Sequence, residues 1–192
     1  AMLVDSLITE AGTPVQADVP RPLFLTGLKA VAVGTRHTVA LKEDGTVACW
    51  GGNDLGQCHP PSDLRDVVSI ACGDAHTVAL RRDGTVVTWG DVSGGLGEVP
   101  PDLQSVTAIA AGPRHSLAVR ADGTVRAWGD PDVAGAEGLD AVRDAVSVSG
   151  GLTFSAVLRR NGTVQVFGKP PLDVLQPPAD LGGVRAIAAG WY

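Results

Sequence analysis

The sequence predicts an all-β protein in which small antiparallel sheets repeat along the chain, the arrangement of a β-propeller. The main observation is a unit of 39 residues that occurs four times and begins a fifth time within the 192 residues. Each unit holds three short β-rich runs separated by turn residues. The composition agrees, since 25 Gly and 13 Pro with only 4% aromatic residues indicate many turns. No window shows a helical apolar period, which excludes a helical solenoid.

Four columns of residues keep the repeat in phase. The first column is glycine, at Gly34, Gly73, Gly112, Gly151 and Gly190. The second is histidine and one phenylalanine, at His37, His76, His115 and Phe154. The third is a turn pair, at Asp44-Gly45, Asp83-Gly84, Asp122-Gly123 and Asn161-Gly162. The fourth is an aromatic residue before glycine, at Trp50-Gly51, Trp89-Gly90, Trp128-Gly129 and Phe167-Gly168.

The columns divide each unit into strands, as the first unit shows. Val31–Val33 predicts strand one, and the alternating segment that begins at His37 predicts strand two. Asp44-Gly45 then predicts a tight type I′ hairpin, because both residues tolerate positive φ. Strand three runs to Trp50-Gly51. The remaining residues, about 15 and rich in Gly, Pro and Asp, have room for one short outer strand and a return loop.

These boundaries predict the domain organisation. Residues 1–27 form an N-terminal segment with a Pro-bearing connector, and the repeats occupy 28–66, 67–105, 106–144, 145–183 and, in part, 184–192. The fifth strand one has no hairpin partner, so the ring is incomplete. Three outcomes stay open: this strand closes a small ring against the first blade, two chains combine, or the chain is part of a longer propeller. The unpaired edge favours association or truncation over a self-closed ring.

Charge and composition limit the partners and the compartment. The net charge of −6 disfavours a nucleic acid partner, which needs a basic face. No apolar run is long enough to cross a membrane, so the sequence predicts a soluble chain. The first residues do not form a signal peptide, which favours the cytoplasm. Three cysteines without metal-ligand spacing predict reduced thiols rather than a disulfide framework or a zinc site.

The repeated unit resembles the repeat of the regulator of chromosome condensation, the RCC1-like β-propellers. The motif Val-Gly-x-x-His-Thr-Val-Ala-Leu-x-x-Asp-Gly-Thr-Val-x-x-Trp-Gly carries the resemblance over about residues 28–192, and the repeat length is similar to bacterial members such as β-lactamase inhibitory protein II. The resemblance implies a protein partner, either a small GTPase or a secreted hydrolase. It also implies that each column histidine binds backbone of its own blade. Phe154 and Phe167 depart from the motif, and no loop is long enough for an obvious nucleotide-exchange wedge.

Chemical sites are sparse in the sequence. Three column histidines could converge on an axial metal, but Phe154 occupies the same position, so no metal is predicted. The sequence indicates no cofactor, and no P-loop, nucleophile elbow or zinc-protease motif occurs. Cys49 and Cys58 lack an evident base. The alternative function is an enzyme of specialised metabolism with a loop-built site at the open end of the propeller.

The positions that differ between repeats predict a binding face. The turns between strands one and two lie on the same face as the loops after strand three, and these segments carry nearly all the variation. The uniform Asp-Gly turns lie on the opposite face. The sequence therefore predicts a protein- or peptide-binding module with a variable face that includes Arg36, Asn53, Asp54, Asp74, Asp91, Arg114, Asp130, Trp191 and Tyr192.

Overall fold

The computed structural model describes residues 26–134, 137–169 and 177–190. Within these ranges the strands form four three-stranded antiparallel sheets, one for each full repeat, and each sheet keeps the order of the chain. Blade 1 contains β1 (Leu28–Val33), β2 (His37–Lys42) and β3 (Val47–Gly51). Blade 2 contains β4 (Val67–Cys72), β5 (His76–Arg81) and β6 (Val86–Gly90). Blade 3 contains β7 (Val106–Ala111), β8 (His115–Arg120) and β9 (Val125–Gly129), and blade 4 contains β10 (Ala145–Gly150), β11 (Phe154–Arg159) and β12 (Val164–Gly168).

The middle strand of each blade is the most buried. In β5, for example, every residue from His76 to Leu80 is buried, because neighbouring blades cover both faces of the sheet. The first strand of every blade has an irregularity in its register near its second residue, as between Val67 and Ser69 in β4. Repetition of this bulge shows that all four blades share one local geometry.

The hairpin between strands two and three differs from the predicted type I′ turn. In blade 1, Gly45 N donates to Lys42 O at 3.0 Å, and Lys42 N donates to Thr46 O at 2.9 Å. Only Gly45 has positive φ, at +80°, whereas Asp44 does not. This is a three-residue loop with a type I turn and a glycine bulge. The Asp44 carboxylate accepts hydrogen bonds from the backbone N and the hydroxyl of Thr46, which fixes this geometry.

The predicted outer fourth strand is absent from 52–66, from 91–105 and from the described part of 130–144. These segments contain turns, 3₁₀ turns at Ser93–Gly95 and Leu139–Ala141, and a short helix α1 (Pro131–Ala134). Pairs of prolines occur at 60–61 and 100–101. Proline has no N–H to donate to a ladder, so these segments return to the next blade as loops.

Three apolar clusters hold successive blades together. Leu41 of blade 1 packs with Ala79 and Trp89 of blade 2, and Val78 of blade 2 packs with Ala118 and Trp128 of blade 3. The third and largest cluster lies between blades 3 and 4 and includes Leu117 and Phe167. Small and β-branched side chains on the middle strands let the sheets approach closely, and the large aromatic fills the space beside them.

The four sheets do not close into a ring. Residues 184–190 lie on blade 4 where a fifth blade would begin: Val184 N donates to Gly162 O at 3.0 Å, as Val67 N does to Gly45 O at the junction of blades 1 and 2. Within the described ranges no strand pairs with 184–190. Strand β1 at the other end is largely exposed.

The prediction of three reduced thiols is wrong for two cysteines. Cys49 on β3 and Cys58 in the following loop form a disulfide, with their Cα atoms 5.1 Å apart. The loop turns back at Gly56, where φ is +79°, and so returns Cys58 to the strand. Cys72 is free, and burial raises the pKa of its thiol to about 11. In the described residues no helix is long and apolar enough to span a bilayer.

Candidate binding face

Backbone hydrogen bonds join two sets of loops on one side of the blades. We call the segments between strands one and two the entry turns, and the segments that follow strand three the exit loops. The amide at the start of each exit loop donates to a carbonyl of the entry turn in the same blade. These bonds are Gly52 N to Arg36 O at 2.6 Å, Asp91 N to Ala75 O at 2.8 Å, Asp130 N to Arg114 O at 2.8 Å and Lys169 N to Thr153 O at 2.9 Å. The two sets of loops therefore form one face, which we call the variable face.

Two arginines of this face pair with exit-loop carboxylates of their own blade. Arg36 Nη1 lies 3.6 Å from Asp54 Oδ2, with both side chains more than 70% exposed. Arg114 Nε lies 3.7 Å from Asp130 Oδ2. Asp130 is largely buried but Arg114 is exposed, and an ion pair of an exposed arginine at such a distance contributes little to stability. Both guanidinium groups are therefore available to a partner at little cost to the fold.

The entry turns of successive blades are also linked to each other. Thr35 Oγ1 donates to Asp74 Oδ1 at 2.6 Å, and Asp74 N donates to Pro113 O at 3.2 Å. Between blades 2 and 3 the face has a recess of about 310 Å³, which is lined by Asp74, Ala75, Asp91, Ser93, Gly94, Leu96, Pro113, Arg114 and Asp130. Four of the residues predicted from the sequence meet in this recess.

Three predicted site residues also hold their own loops. Asp91 Oδ1 accepts from Ser93 N at 2.9 Å, and hydrogen bonding by the side chain and then the backbone of Ser93 lowers the pKa of the Asp91 carboxyl. Asp130 Oδ1 accepts from Asp132 N at 3.0 Å. Asn53 Oδ1 accepts from Cys58 N at 2.9 Å. Substitution of these residues would change the shape of a loop as well as its surface.

Trp191 and Tyr192, the last two predicted site residues, lie outside the described residues. Thr35 and Pro113 lie in the entry turns that the sequence predicted to vary, but sequence reasoning did not predict that they link entry turns of different blades. It also missed Gln57, whose buried carbonyl accepts from Trp89 Nε1 at 3.0 Å. Because Gln57 is 32 residues from Trp89 in sequence, no local pattern connects the two.

The histidine column joins blades, and the predicted bond to backbone of the same blade is wrong. His37 Nε2 is hydrogen-bonded to Thr77 Oγ1 at 3.0 Å, and His76 Nε2 to Ser116 Oγ at 3.0 Å. His115 Nε2 repeats the bond with Ser155 Oγ at 3.1 Å. Each partner is the second residue of the middle strand in the next blade. The column is therefore a structural seam rather than a ligand site.

Burial determines the charge state of these imidazoles. Desolvation is the main cause that lowers the pKa of both His76 and His115 to about 4. Burial also lowers the pKa of His37. All three rings are neutral near pH 7, which suits a hydrogen bond to a hydroxyl group. Their Nδ1 atoms have no hydrogen-bond partner among the described residues.

The aromatic column packs between blades. Trp89 and Trp128 are buried, and their indole N–H groups donate to Gln57 O and Leu96 O of the preceding blade, at 3.0 and 3.2 Å. Phe167 is buried at the equivalent place without a donor. Trp50, in blade 1, is only half-buried.

The opposite face carries the hairpin turns and a row of basic residues that end the middle strands. Arg120 Nη2 donates to Asp102 Oδ2 at 2.8 Å, and Arg81 pairs with Asp63 at 3.5 Å. Arg82, beside Arg81, is exposed and forms no ion pair with a described residue. The Asp or Asn side chain of every hairpin accepts a hydrogen bond from a threonine of the same turn. The residues of this face therefore differ less between repeats than those of the variable face.

No metal or thiol chemistry is assembled in the described ranges. They contain no group of three or more His, Cys, Asp or Glu side chains arranged to hold a metal ion. The disulfide removes the Cys58 thiol as a nucleophile, and the neighbouring His59 ring lies against Asn53 Nδ2 at 3.3 Å. The variable face is left as the feature of the fold that suits recognition of another molecule.

These features define an open, blade-stacked repeat protein, and comparison with known proteins gives the type of repeat. The model of the regulator of chromosome condensation (RCC1) repeat matches residues 28–57, 67–94 and 106–133. Three of the four full repeats of this chain therefore match the RCC1 repeat. A segment of 47 residues is 40% identical to the guanine nucleotide exchange factor SRM1 of Saccharomyces cerevisiae, and covers 24% of this chain and 10% of that protein.

Solved structures support the same fold. The chain is similar to Prp20p of Saccharomyces cerevisiae with a TM-score of 0.63 and 23% identity, over 77% of this chain and 47% of that one. It is similar to the CRINKLY WD40 ectodomain of the Arabidopsis thaliana receptor kinase ACR4 with a TM-score of 0.65 and 22% identity, over 90% of this chain and 62% of that one. The chain therefore spans less than two thirds of each of these relatives.

Proposed function

We propose that this chain is a protein- or peptide-binding module that recognises its partner through the variable face. The observation that carries the proposal is the backbone frame of this face. In all four blades the entry turn and the exit loop are joined through main-chain atoms, so this connection does not depend on the identity of their side chains. Side chains of the face that do not hold their own loop, such as Arg36 and Arg114, are free to match a partner.

The chemistry of the face supports protein recognition. Arg36 and Arg114 are exposed, and arginine is enriched among the residues that dominate binding energies. Carboxylates at Asp74 and Asp91 add hydrogen-bond acceptors around the recess. Trp191 and Tyr192 stay part of the proposal as aromatic residues that follow the fifth column glycine.

The relatives supply a second line of support. Prp20p has been described with its binding to Gsp1p and to histones, so a fold of this kind binds proteins. We propose a protein partner for this chain by analogy, with no nucleic acid, membrane or cofactor in the interaction. We also propose that the unpaired fifth first strand is completed either by another copy of the chain or by further blades of a longer propeller.

The experiment compares partner capture by the wild-type chain with capture by variants that change either the variable face or the hairpin face. Immobilised wild-type chain and the double variant Arg36→Ala/Arg114→Ala are used to capture proteins from the source cells, and bound proteins are identified by mass spectrometry. Arg82→Ala is the matched control, because Arg82 is an exposed arginine on the hairpin face. We expect the control to retain the captured protein and the double variant to lose it at an unchanged melting temperature. The proposal is contradicted if the double variant and the Arg82→Ala control both lose the captured protein, or if both retain it.

A further inference from the structure

A disulfide closes the exit loop of blade 1. It joins Cys49 of β3 to Cys58, which is nine residues further along the chain. The loop between them carries Asp54, whose carboxylate lies 3.6 Å from the exposed Arg36 guanidinium on the variable face. The covalent bond therefore restrains a loop whose side chains belong to the candidate binding face.

The fold builds the equivalent loop of blade 2 without a disulfide. The positions that correspond to the two cysteines hold Thr88 and Gly97. Leu96 O of this loop still accepts a hydrogen bond from Trp128 Nε1 of the next blade at 3.2 Å. The loop of blade 1 makes the same kind of contact with the next blade through Gln57 O. This contact between blades therefore does not require the disulfide, and the bond is an addition to one loop.

Hydrogen bonds give the loop of blade 1 its shape. Leu55 N donates to Gln57 Oε1 at 2.8 Å, Cys58 N donates to Asn53 Oδ1 at 2.9 Å, and Gly56 N donates to Asn53 O at 3.1 Å. Each bond contributes little net free energy in a surface loop, because water competes for the same groups. A disulfide restricts the conformations that the open loop could adopt, so it adds order that these hydrogen bonds alone do not supply.

The two sulfur atoms belong to residues near the surface. Cys49 and Cys58 are only half-buried, and His59, the neighbour of Cys58, is exposed. Exchange of a disulfide with an external thiol depends on access to one of its sulfur atoms. The position of this disulfide therefore favours exchange with a reductant while the chain stays folded.

We propose that the Cys49–Cys58 disulfide is a redox-sensitive clasp of the variable face. A dithiol reductant attacks one sulfur atom of the bond and forms a mixed disulfide, and its second sulfur then displaces the protein. The products are the two cysteine thiols and the disulfide of the reductant, so two electrons and two protons pass to the protein. Reduction loosens the exit loop of blade 1 and leaves the four blades folded.

The clasp regulates binding through the order of this loop, a consequence that rests on the proposed function of the variable face. A loop that is already ordered loses less conformational freedom when a partner binds. The oxidised chain therefore binds its partner more tightly than the reduced chain. By reciprocity, the bound partner makes the disulfide harder to reduce.

Hydrogen exchange of the partner-free chain tests the clasp. The amides of Leu55, Gly56 and Cys58 are compared in the oxidised chain and in the chain reduced with dithiothreitol, and alkylation of the thiols confirms reduction. The exit loop of blade 2 is the matched control, because the amides of Ser93 and Leu96 are hydrogen-bonded there without a disulfide. On reduction, exchange in the loop of blade 1 should rise about tenfold or more, and exchange in the control loop should not change.

Two variants separate loss of the bond from other effects of the reductant. Cys49→Ser/Cys58→Ser lacks the bond and should exchange like the reduced chain when no reductant is present. Cys72→Ser keeps the bond and should exchange like the oxidised chain. Partner capture by the oxidised wild-type chain should exceed capture by the reduced chain about fivefold or more.

Unchanged exchange in the loop of blade 1 after reduction overturns the proposal. So does a disulfide that dithiothreitol does not reduce in the folded chain, or exchange that rises in all four blades, because the bond then holds the whole fold. Equal capture by the two redox forms overturns the regulation of binding. A chain that captures no partner in either form contradicts the proposed function, whereas exchange of the loop still decides the clasp.

Discussion

The histidine seam predicts that the protein loses stability when the pH falls from 7 to 5. Above pH 6.5 the imidazoles are neutral in both the folded and the unfolded chain, so stability does not depend on their protonation. Between pH 6.5 and about 4 the unfolded chain binds protons that buried His76 and His115 do not accept, because their folded pKa values are about 4. The contribution of these imidazoles to stability is therefore lost over this window and changes no further below it.

The magnitude follows from the two pKa values. An unfolded pKa of about 6.5 and a folded value of about 4 give a loss of about 2 kcal/mol for each imidazole at pH 5, or about 4 kcal/mol for the pair. Such a loss is large beside a typical unfolding free energy of about 5–15 kcal/mol. The hairpin carboxylates Asp44, Asp83 and Asp122 do not interfere, because their pKa values are lowered from 3.8 and they titrate below this window.

Urea denaturation followed by far-ultraviolet circular dichroism at pH 7 and pH 5 measures this effect. His76→Phe, which copies the residue found in blade 4, should lower stability at pH 7 because it leaves buried Ser116 without its partner, and should reduce the pH-dependent loss by about half. The control His59→Gln removes an exposed imidazole and should leave the loss unchanged. An unfolding free energy that is the same at pH 7 and pH 5 would refute the buried, neutral seam.

Three further predictions concern packing between blades and the disulfide. Gly73→Ala should cost about 1–3 kcal/mol of unfolding free energy, because a Cβ there would overlap the His76 ring. The control Gly182→Ala has open space around the added Cβ and should leave stability unchanged. Equal melting temperatures for the two variants would contradict this packing. Trp128→Phe should lower the unfolding free energy measured by urea denaturation by about 1 kcal/mol, because it removes the hydrogen bond from Trp128 Nε1 to Leu96 O of the preceding blade. Trp50→Phe should lower it by less. A larger loss for Trp50→Phe than for Trp128→Phe would contradict this packing. Thiol titration of the unreduced, unfolded chain should detect Cys72 alone, and three reactive thiols would contradict the disulfide.

The strands were predictable because the same short pattern of residues marks their ends in every repeat. Each first strand ends before a column glycine, each middle strand begins at a column histidine or Phe154, and each third strand ends at an aromatic-glycine pair. Alternation of apolar residues within these limits indicates strands without reference to distant parts of the chain. For this reason the fold class and the strand order agree with the sequence.

The features that sequence reasoning missed depend on contacts between residues that are far apart in the sequence, or on side-chain hydrogen bonds and loop geometry within a turn. The partner of His37 is 40 residues away, in the next blade, whereas the resemblance had implied a bond within one blade. The hairpin type depends on the Asp44 side chain, which binds Thr46 rather than leaving the turn free to adopt type I′. The Cys49–Cys58 bond depends on the return of a loop at Gly56.

The candidate face was partly predictable from the same repeated pattern of residues. Strand order alone places entry turns and exit loops on one side of a blade, and the residues that differ between repeats were visible in the sequence. The recess between blades 2 and 3 was not visible, because it needs the distance between Asp74 and Arg114 of different blades. Side-chain roles such as that of Asn53, which holds its own loop, also required coordinates.

Hydrogen exchange of the chain, alone and with its captured partner, tests recognition by the variable face most directly. Amides of the entry turns and exit loops, such as those of 34–36, 91–96, 112 and 114, should become protected when the partner binds, and those of the hairpins at 43–45 and 82–84 should not. Protection confined to the hairpins, with unchanged exchange in the entry turns and exit loops, would contradict recognition through this face.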